Sequence, residues 1–422
     1  MYNLQKPDGG ITEMITYVDD YLSGESNFLS EESNYPDSAT KMGPGRATKL
    51  GRKNGEGVPA MYTFQKPDGG ITEMITNVDD FLIAESNTNI TDATLAKLKE
   101  QFEELAVQRN PDSFSGYKVS RDRKTRAITL SMPQKIIEAT STHLPEALDG
   151  EGKVKVLKGG KLADVADGLE LDQASKETKK LDAQRKTTQS IIGSLKFVEK
   201  IMPEISVALH RLSCLMSALP VEALAVAKGV LHYAYLHKTN GITYGGTNGD
   251  EEYNEEHVGI EGRAPIELSA TADATWGDGR NIYGLLVTYN RGSIAHMTKK
   301  IRAIVESSHH SEAIATSEAT KQVMYAREVL RALHEPQRMA TKIATDNRAN
   351  LLVANDATSA KRARHFLRQY HILQQRIESD EIAVCKLPTS VMPADFLTKW
   401  IAGNKVKKST EYATNSTAYV NS

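Results

Sequence analysis

The chain has 422 residues, 40% of them hydrophobic and 25% charged, an ordinary globular composition long enough to build two or three cores. Only two cysteines occur, Cys214 and Cys385, which excludes a disulfide framework and a thiolate zinc site. Lysine plus arginine number 52 against 54 aspartates and glutamates, a balance that, taken whole, argues against a nucleic-acid binder.

The balance is uneven along the chain. Residues 1–262 carry 30 basic and 39 acidic side chains, residues 263–400 carry 19 and 14, and the last 22 residues carry 3 and 1. The basic surplus therefore sits in the C-terminal third, where phosphate contacts are to be sought. The N-terminus lacks the apolar run of a secretory leader, and the most apolar stretch, 201–236, is interrupted by Glu204, His210, Arg211, Pro220, Glu222 and Lys228. These features predict an intracellular protein, cytoplasmic or nuclear, with no membrane partner.

In chain order, the first feature is a repeat. Residues 1–27 recur as residues 61–87, identical at 21 of 27 positions with a constant offset of 60. Each copy reads as a β-hairpin: an Asp-Gly-Gly turn, a Thr/Ile-rich run, then an Asp-Asp turn at Asp19-Asp20 or Asp79-Asp80. Two copies separated by a Ser-, Gly-, Asn- and Lys-rich stretch argue against a stacked solenoid and for a segment duplication or a gene-model artefact. A helical period follows at Leu95, Leu98, Phe102 and Leu105. Extended runs at 115–119 and 127–130 flank a charged turn, and Pro133 opens a helix to about His143. Residues 146–186 are Gly-, Lys- and Asp-rich and read as a linker. Residues 188–238 read as helices broken at Pro203 and Pro220.

Beyond residue 262 the pattern changes. Strands are predicted at 266–273, 282–289 and 293–298, a long helix at 311–334 and a strand at 339–345. Helices at 349–354 and 361–378, a strand at 382–387 and a last helix from Pro393 complete the pattern, with proline suited to a first helical turn. Such an order makes an α+β or α/β layer architecture.

Four acids in this region stand at element ends: Asp273 after the first strand, Glu312 at the start of the long helix, Asp346 after the next strand, and Asp395 opening the last helix. Singly, such acids cap amides and complement helix dipoles. Together, at the ends of a mixed sheet, they can converge, and converging carboxylates repel unless a divalent cation neutralises them. Hard oxygen ligands suit Mg2+ (or Mn2+). Two such ions roughly 4 Å apart can activate a water and stabilise the leaving oxygen of a phosphodiester. His309-His310 are helix neighbours that point apart, so they read as a polar helix start rather than a zinc pair. The run Lys361, Arg362, Arg364 and Arg368, with no acid among them, suits a phosphate backbone. Trp276 and Trp400 read as packing residues.

Several blocks carry a resemblance. Asn77-Val78-Asp79-Asp80-Phe81-Leu82-Ile83-Ala84, Phe114-Ser115-Gly116-Tyr117, Ser190-Ile191-Ile192-Gly193-Ser194-Leu195 and Ala227-Lys228-Gly229-Val230-Leu231-His232-Tyr233 are followed by Ala272-Asp273-Ala274-Thr275-Trp276-Gly277. Then come Ser311-Glu312-Ala313, Thr345-Asp346-Asn347 and Ala394-Asp395-Phe396-Leu397-Thr398-Lys399. In this order, from about residue 61 to 400, the chain resembles the C-terminal part of copia-type retrotransposon Pol polyproteins: the end of a reverse transcriptase followed by its ribonuclease H domain. The resemblance implies a ribonuclease H-like mixed sheet with helices at the C-terminus, preceded by a partial palm and thumb and a helical connection.

It further implies metal-dependent cleavage of the RNA strand of an RNA–DNA hybrid. Asp273, Glu312 and Asp346 would hold the metal ions, Asp395 would complete the second site, and the basic run would face the hybrid. The domains expected are a duplicated hairpin (1–27), a flexible linker (28–60), a partial palm and thumb (61–145), a linker (146–187), a helical connection (188–262), the ribonuclease H-like domain (263–400) and a flexible tail (401–422). The sequence departs from the family at Asn77, usually tyrosine, and at Trp400, usually proline. The fingers and the first catalytic aspartate of the polymerase precede the hairpin in the family and are not among these 422 residues. The Asp19-Asp20 and Asp79-Asp80 pairs are therefore predicted inactive, without DNA polymerase activity for this chain alone. The alternative is a decayed, catalytically inactive remnant that binds nucleic acid.

Overall fold

A computed structural model describes residues 13–18, 47–49, 61–65, 71–77, 80–85, 95–96, 106–125, 127–148, 178–218, 220–246, 267–277, 281–333, 335–347, 367–401 and 403–416. The chain divides into two compact units, one of residues 1–119 and 327–336 and one of residues 120–326 and 337–422.

The first unit is built on an antiparallel sheet of β1 (Glu13–Val18), β2 (Ala47–Lys49), β3 (Met61–Gln65), β4 (Ile71–Asn77), β5 (Asp80–Glu85) and β6 (Ala106–Arg109), in the order β2-β3-β4-β5-β1-β6. The β4–β5 hairpin is the one expected at residues 61–87, with Asn77 paired to Asp80 across its turn. The repeat has a structural consequence, because β5 is flanked on both sides by copies of one sequence. Met74 of β4 pairs with Ile83, whereas its counterpart Met14 of β1 pairs with Ala84. The two copies thus meet β5 one residue out of register with each other. The boundary at residue 119 falls within β8 (Tyr117–Asp122), which β7 (Ser113–Phe114) reaches through Ser115 and Gly116, both at positive φ. Strand β8 continues into Arg121 and Asp122, where the sequence reads as a turn; the turn begins instead where Asp122 accepts the amides of Lys124 and Thr125.

In the second unit, β9 (Ala127–Ser131) leads to helices α1 (Pro133–His143), α2 (Thr178–Val198), α3 (Ser206–Leu215) and α4 (Pro220–Leu236). The breaks fall at Pro203 and Pro220 as predicted: the first opens a short 3-10 turn, the second starts α4. Helix α2 begins nine residues before the linker was expected to end at 187, because its first turns, Thr-Lys-Lys-Leu-Asp-Ala, are polar and give no apolar period. Ile191, Leu195, Ile205, Leu209, Leu212, Leu231 and Ala234 form the buried face of this bundle. Each large aliphatic so buried contributes about 1.5–3 kcal/mol. A strand missed by the sequence reading, β10 (Gly241–Tyr244), returns antiparallel to β9. Glycine is required at 241, since a Cβ there would lie 2.1 Å from the Leu130 carbonyl oxygen.

The C-terminal part is a five-stranded mixed sheet flanked by helices, the α+β, ribonuclease H-like arrangement that the motifs imply. Its strands are β11 (Ser269–Ala274), β12 (Ile282–Tyr289), β13 (Gly292–Lys300), β14 (Thr341–Thr345) and β15 (Ile382–Lys386), in the order β13-β12-β11-β14-β15. The β11–β12 and β12–β13 pairs are antiparallel, while β11–β14 and β14–β15 are parallel. All eight residues of β12, Ile-Tyr-Gly-Leu-Leu-Val-Thr-Tyr, are buried, as an unbroken apolar strand should be. The connecting helices are α5 (Ser308–Ala332) and α6 (Leu367–Glu378).

Two expectations near the C-terminus are corrected. Pro393 opens a 3-10 turn (Pro393–Leu397), not a long helix, because the turn is drawn into the core by Ala394, Phe396 and Leu397. Residues 403–414, expected in a flexible tail, form helix α7 (Gly403–Thr414), whose Tyr412 and Ala413 join Leu286, Ala344, Leu387 and Met392 in the same core.

Candidate metal centre

The site grows out of strand register. Thr271 of β11 pairs with Ala344 of β14 in parallel, so continuing the register by two residues sets Asp346 opposite Asp273 at the carboxyl ends of adjacent strands. Helix α5 supplies the third acid. Its start is fixed by Ser307, whose Oγ accepts the amide of His310 at 3.2 Å, an N-cap that begins the helix earlier than the predicted Ser311. Glu312 then lies in the second turn and accepts the backbone amide of Ala274 on Oε1 at 3.2 Å, tying the helix to the end of β11.

Each of Asp273, Glu312 and Asp346 offers a carboxylate oxygen, and these oxygens all lie within 4.8 Å of one another. Among the described residues, no other group of three or more acids, histidines and cysteines forms such a cluster. Asp273 is only 2% exposed, Glu312 is buried and Asp346 is half-buried. Burial, together with the charges of Asp273 and Asp346, pushes the Glu312 carboxyl up to about 9. Burial likewise raises Asp273 to about 6, with Asp395 and Asp346 adding to the rise and Lys399 and the Thr398 hydroxyl opposing it. Three hard oxygens gathered this closely, with too little positive charge to keep all of them ionised, make a donor set that could hold a metal ion.

The fourth predicted acid takes another position. Asp395 is 1% exposed, and its Oδ1 is 2.8 Å from the Lys399 ammonium while its Oδ2 accepts from Lys405 of α7. Lys399 also reaches Asp273, at 3.5 Å from Oδ2. Burial pulls the Lys399 ammonium down, but the charges of Asp273, Asp395 and Asp346 and its hydrogen bond to Asp395 leave it above the ordinary lysine range. The structure thus brings together three of the four acids and gives the fourth to two lysines.

Supporting residues that the sequence reading missed surround the acids. The Thr398 hydroxyl donates to Asp273 Oδ2, and Thr389 Oγ1 donates to Asp346 Oδ2 at 2.9 Å. Lys405 donates to the Thr389 carbonyl as well as to Asp395. Gly284 makes room for this. It pairs with Asp273 across β11–β12, and a Cβ there would fall 2.7 Å from Leu397 Cβ and 2.8 Å from Thr398 Cγ2. The bare backbone at 284 lets the 3-10 turn settle against β12, which places Thr398 on Asp273. Only the Thr-Lys following Asp395 could have signalled these partners in the sequence.

The remaining candidates are dispersed. His309 and His310 stand outside the acid cluster. Trp276, expected in packing, is 52% exposed, with its indole N–H donating to the Val305 carbonyl at 3.2 Å. Trp400 is half-buried, with the Arg211 guanidinium 5.3 Å from its ring centre. Lys361, Arg362, Arg364, Asp19, Asp20 and Asp79 lie outside the described residues. Arg368 is in α6 and Asp80 begins β5, with their side chains outside the described set. Cys214 and Cys385 are both free. Among the described residues no helix is long and apolar enough to cross a membrane.

No family model matches the chain. It is 21% identical over 361 residues to the retrovirus-related Pol polyprotein of transposon RE1 from Arabidopsis thaliana, covering 83% of this chain and 22% of that polyprotein. To the Pol polyprotein of transposon TNT 1-94 from Nicotiana tabacum it is 22% identical over 358 residues, 82% of this chain and 24% of the relative. Transposon RE2 of Arabidopsis thaliana gives 22% over 340 residues, 78% and 21%. A foamy viral protease–reverse transcriptase solved with double-stranded DNA aligns over 75% of this chain and 46% of its own, at 12% identity and a TM-score of 0.37, a likeness too loose to carry an argument. Over about four-fifths of its length the chain is thus similar to retrovirus-related Pol polyproteins of transposons, in line with the ordered motifs, and it spans between a fifth and a quarter of the length of these relatives.

Proposed function

We propose that this chain cleaves the RNA strand of RNA–DNA hybrids in a reaction that depends on Mg2+ (or Mn2+). The observation that carries the reading is the convergence of Asp273, Glu312 and Asp346 from two parallel strands and the start of a helix. These three side chains would hold the cation. When bound, a divalent cation supplies an acidified water and neutralises charge on the leaving oxygen of the phosphodiester. The chain's own groups prepare the place: the Ala274 amide orients Glu312, the Thr398 hydroxyl orients Asp273, and the Thr389 hydroxyl orients Asp346. Buried β12 and the 3-10 turn keep water from the inner face of Asp273. Asp395 serves the same centre, and Lys361, Arg362, Arg364 and Arg368 would contact the phosphate backbone.

The test is cleavage of a labelled RNA–DNA hybrid with Mg2+, wild type against Asp346→Asn. Cleavage in the wild type that disappears in the variant supports the reading; cleavage that survives the substitution removes the site assignment. A second reading, an inactive nucleic-acid-binding remnant, draws on the duplicated hairpin strand β1, which meets β5 out of step with its counterpart β4. Hybrid binding that weakens steeply with salt, without cleavage in either protein, would favour it.

A further inference from the structure

The fourth acid has two ammonium partners of its own, and that arrangement is the most informative feature outside the three-carboxylate cluster. Asp395 has one lysine on each oxygen: Lys399 on Oδ1 and Lys405 on Oδ2. Lys399 lies one helical turn on in sequence, while Lys405 comes from α7. Lys399 also stands between Asp395 and Asp273, within 3.5 Å of Asp273 Oδ2. An ammonium therefore holds the place where a second cation would bridge those two carboxylates.

We propose that Lys399 is a fixed positive charge in the position of a second metal ion, so that the centre takes a single divalent cation, on Asp273, Glu312 and Asp346. This deepens the proposed metal-dependent function and rests on it. Charge balance favours a single ion. With all four carboxylates ionised, the state that holds a cation, they and the two ammoniums leave two negative charges, which one divalent cation cancels. A second dication would leave a net positive charge in a largely buried site and would face two ammoniums at close range. Asp395 is then a positioning residue. It anchors Lys399 beside Asp273, and it helps anchor Lys405, which in turn holds the Thr389 carbonyl above Asp346.

Manganese stoichiometry decides this without measuring catalysis. With the full chain, calorimetric titration and the EPR signal of free Mn2+ should give one ion per wild-type chain. Asp395→Asn should still bind one, more weakly because its anchor on Lys399 and Lys405 is lost, whereas Lys399→Gln should open the second position and raise the count to two. Two ions in the wild type, falling to one in Asp395→Asn, would overturn the inference while leaving the metal-dependent function intact. A count that stays at one in Lys399→Gln would overturn the role given to Lys399. No bound manganese in any form would remove both this inference and the metal reading beneath it. Circular dichroism identifies a variant that has not folded; in that event Lys399→Met, which keeps the aliphatic stem, replaces it.

Discussion

The two units gather acids in different ways. In the first, the hairpin's aspartates, Asp79 and Asp80, are sequence neighbours, and Asp80 opens β5 opposite Asn77 of β4. In the second, Asp273, Glu312 and Asp346 are far apart in sequence and meet because β11 and β14 run parallel and both end on the same side, with α5 returning over them. A hairpin can be read from a dozen residues. A centre built at the ends of parallel strands requires the crossovers, and nothing local in the sequence displays it. The hairpin's sequence also recurs within a short segment, residues 1–27 and 61–87, whereas the second unit's centre draws on residues spread from 273 to 346.

The sharpest way to break this comparison is to remove one acid from each unit. Asp346→Asn should lower hybrid cleavage by more than about 100-fold, above the 10–100-fold usual for losing a partner of a metal ligand. Asp80→Asn should leave it within about twofold, because the polymerase-like hairpin takes no part in the proposed hydrolysis. Equal losses from the two substitutions, measured on the same labelled hybrid, would show that the units do not act separately.

A second test addresses how the second unit is held. Gly284→Ala places a methyl within 3 Å of Leu397 and Thr398. The 3-10 turn must shift, so urea denaturation should show a loss of about 1–3 kcal/mol. Hybrid cleavage should also fall, because Thr398 leaves Asp273. Unchanged stability would mean that the close approach of the turn to β12 is not what seats Asp273.

The pH dependence follows from Glu312. Folding raises its carboxyl from an ordinary 4.5 to about 9, so the folded state holds the proton more tightly than the unfolded chain. Its contribution to stability is fully present below about pH 4.5 and is lost as pH rises toward 9. Asp273, raised to about 6, adds a slope of the same sign over a narrower window. In metal-free buffer the melting temperature should therefore decline from pH 5 to pH 9, and Glu312→Gln should flatten that decline. Saturating Mn2+ should reverse it, since the ion stabilises the ionised forms. A metal-free melting temperature that rises across this range would contradict the burial of Glu312.

Much of this architecture was legible in the sequence. Prolines 133, 203 and 220 marked helix starts and breaks, and the apolar run of β12 marked a central strand. All four acids fell near element ends because such acids are local features. Their partners were not legible. Lys405 sits in Asn-Lys-Val-Lys-Lys-Ser-Thr-Glu, a stretch with too few apolar residues to announce a helix, and α7 is held by the few residues, such as Tyr412 and Ala413, that reach the core. The partners of Asp395 were equally hidden: its spacing to Lys399 is local, but its contact with Lys405 of α7 is made by tertiary packing.

The smallest expected effect separates a glycine that the fold requires from one that it tolerates. Gly193 lies within α2, and a Cβ added there meets nothing within 4 Å. Alanine should therefore stabilise the chain by about 0.5–1 kcal/mol, because glycine loses more backbone freedom on entering a helix and the new methyl displaces no neighbour. Gly284 lies in a strand where the same methyl collides with the turn that carries Thr398, so the sign reverses. Gly193→Ala should leave hybrid cleavage unchanged, whereas Gly284→Ala lowers it. If both substitutions destabilised the chain equally, the difference in space around them would not govern their effect. If Gly193→Ala alone reduced cleavage, the helical bundle rather than the 3-10 turn would be the element that positions the acids.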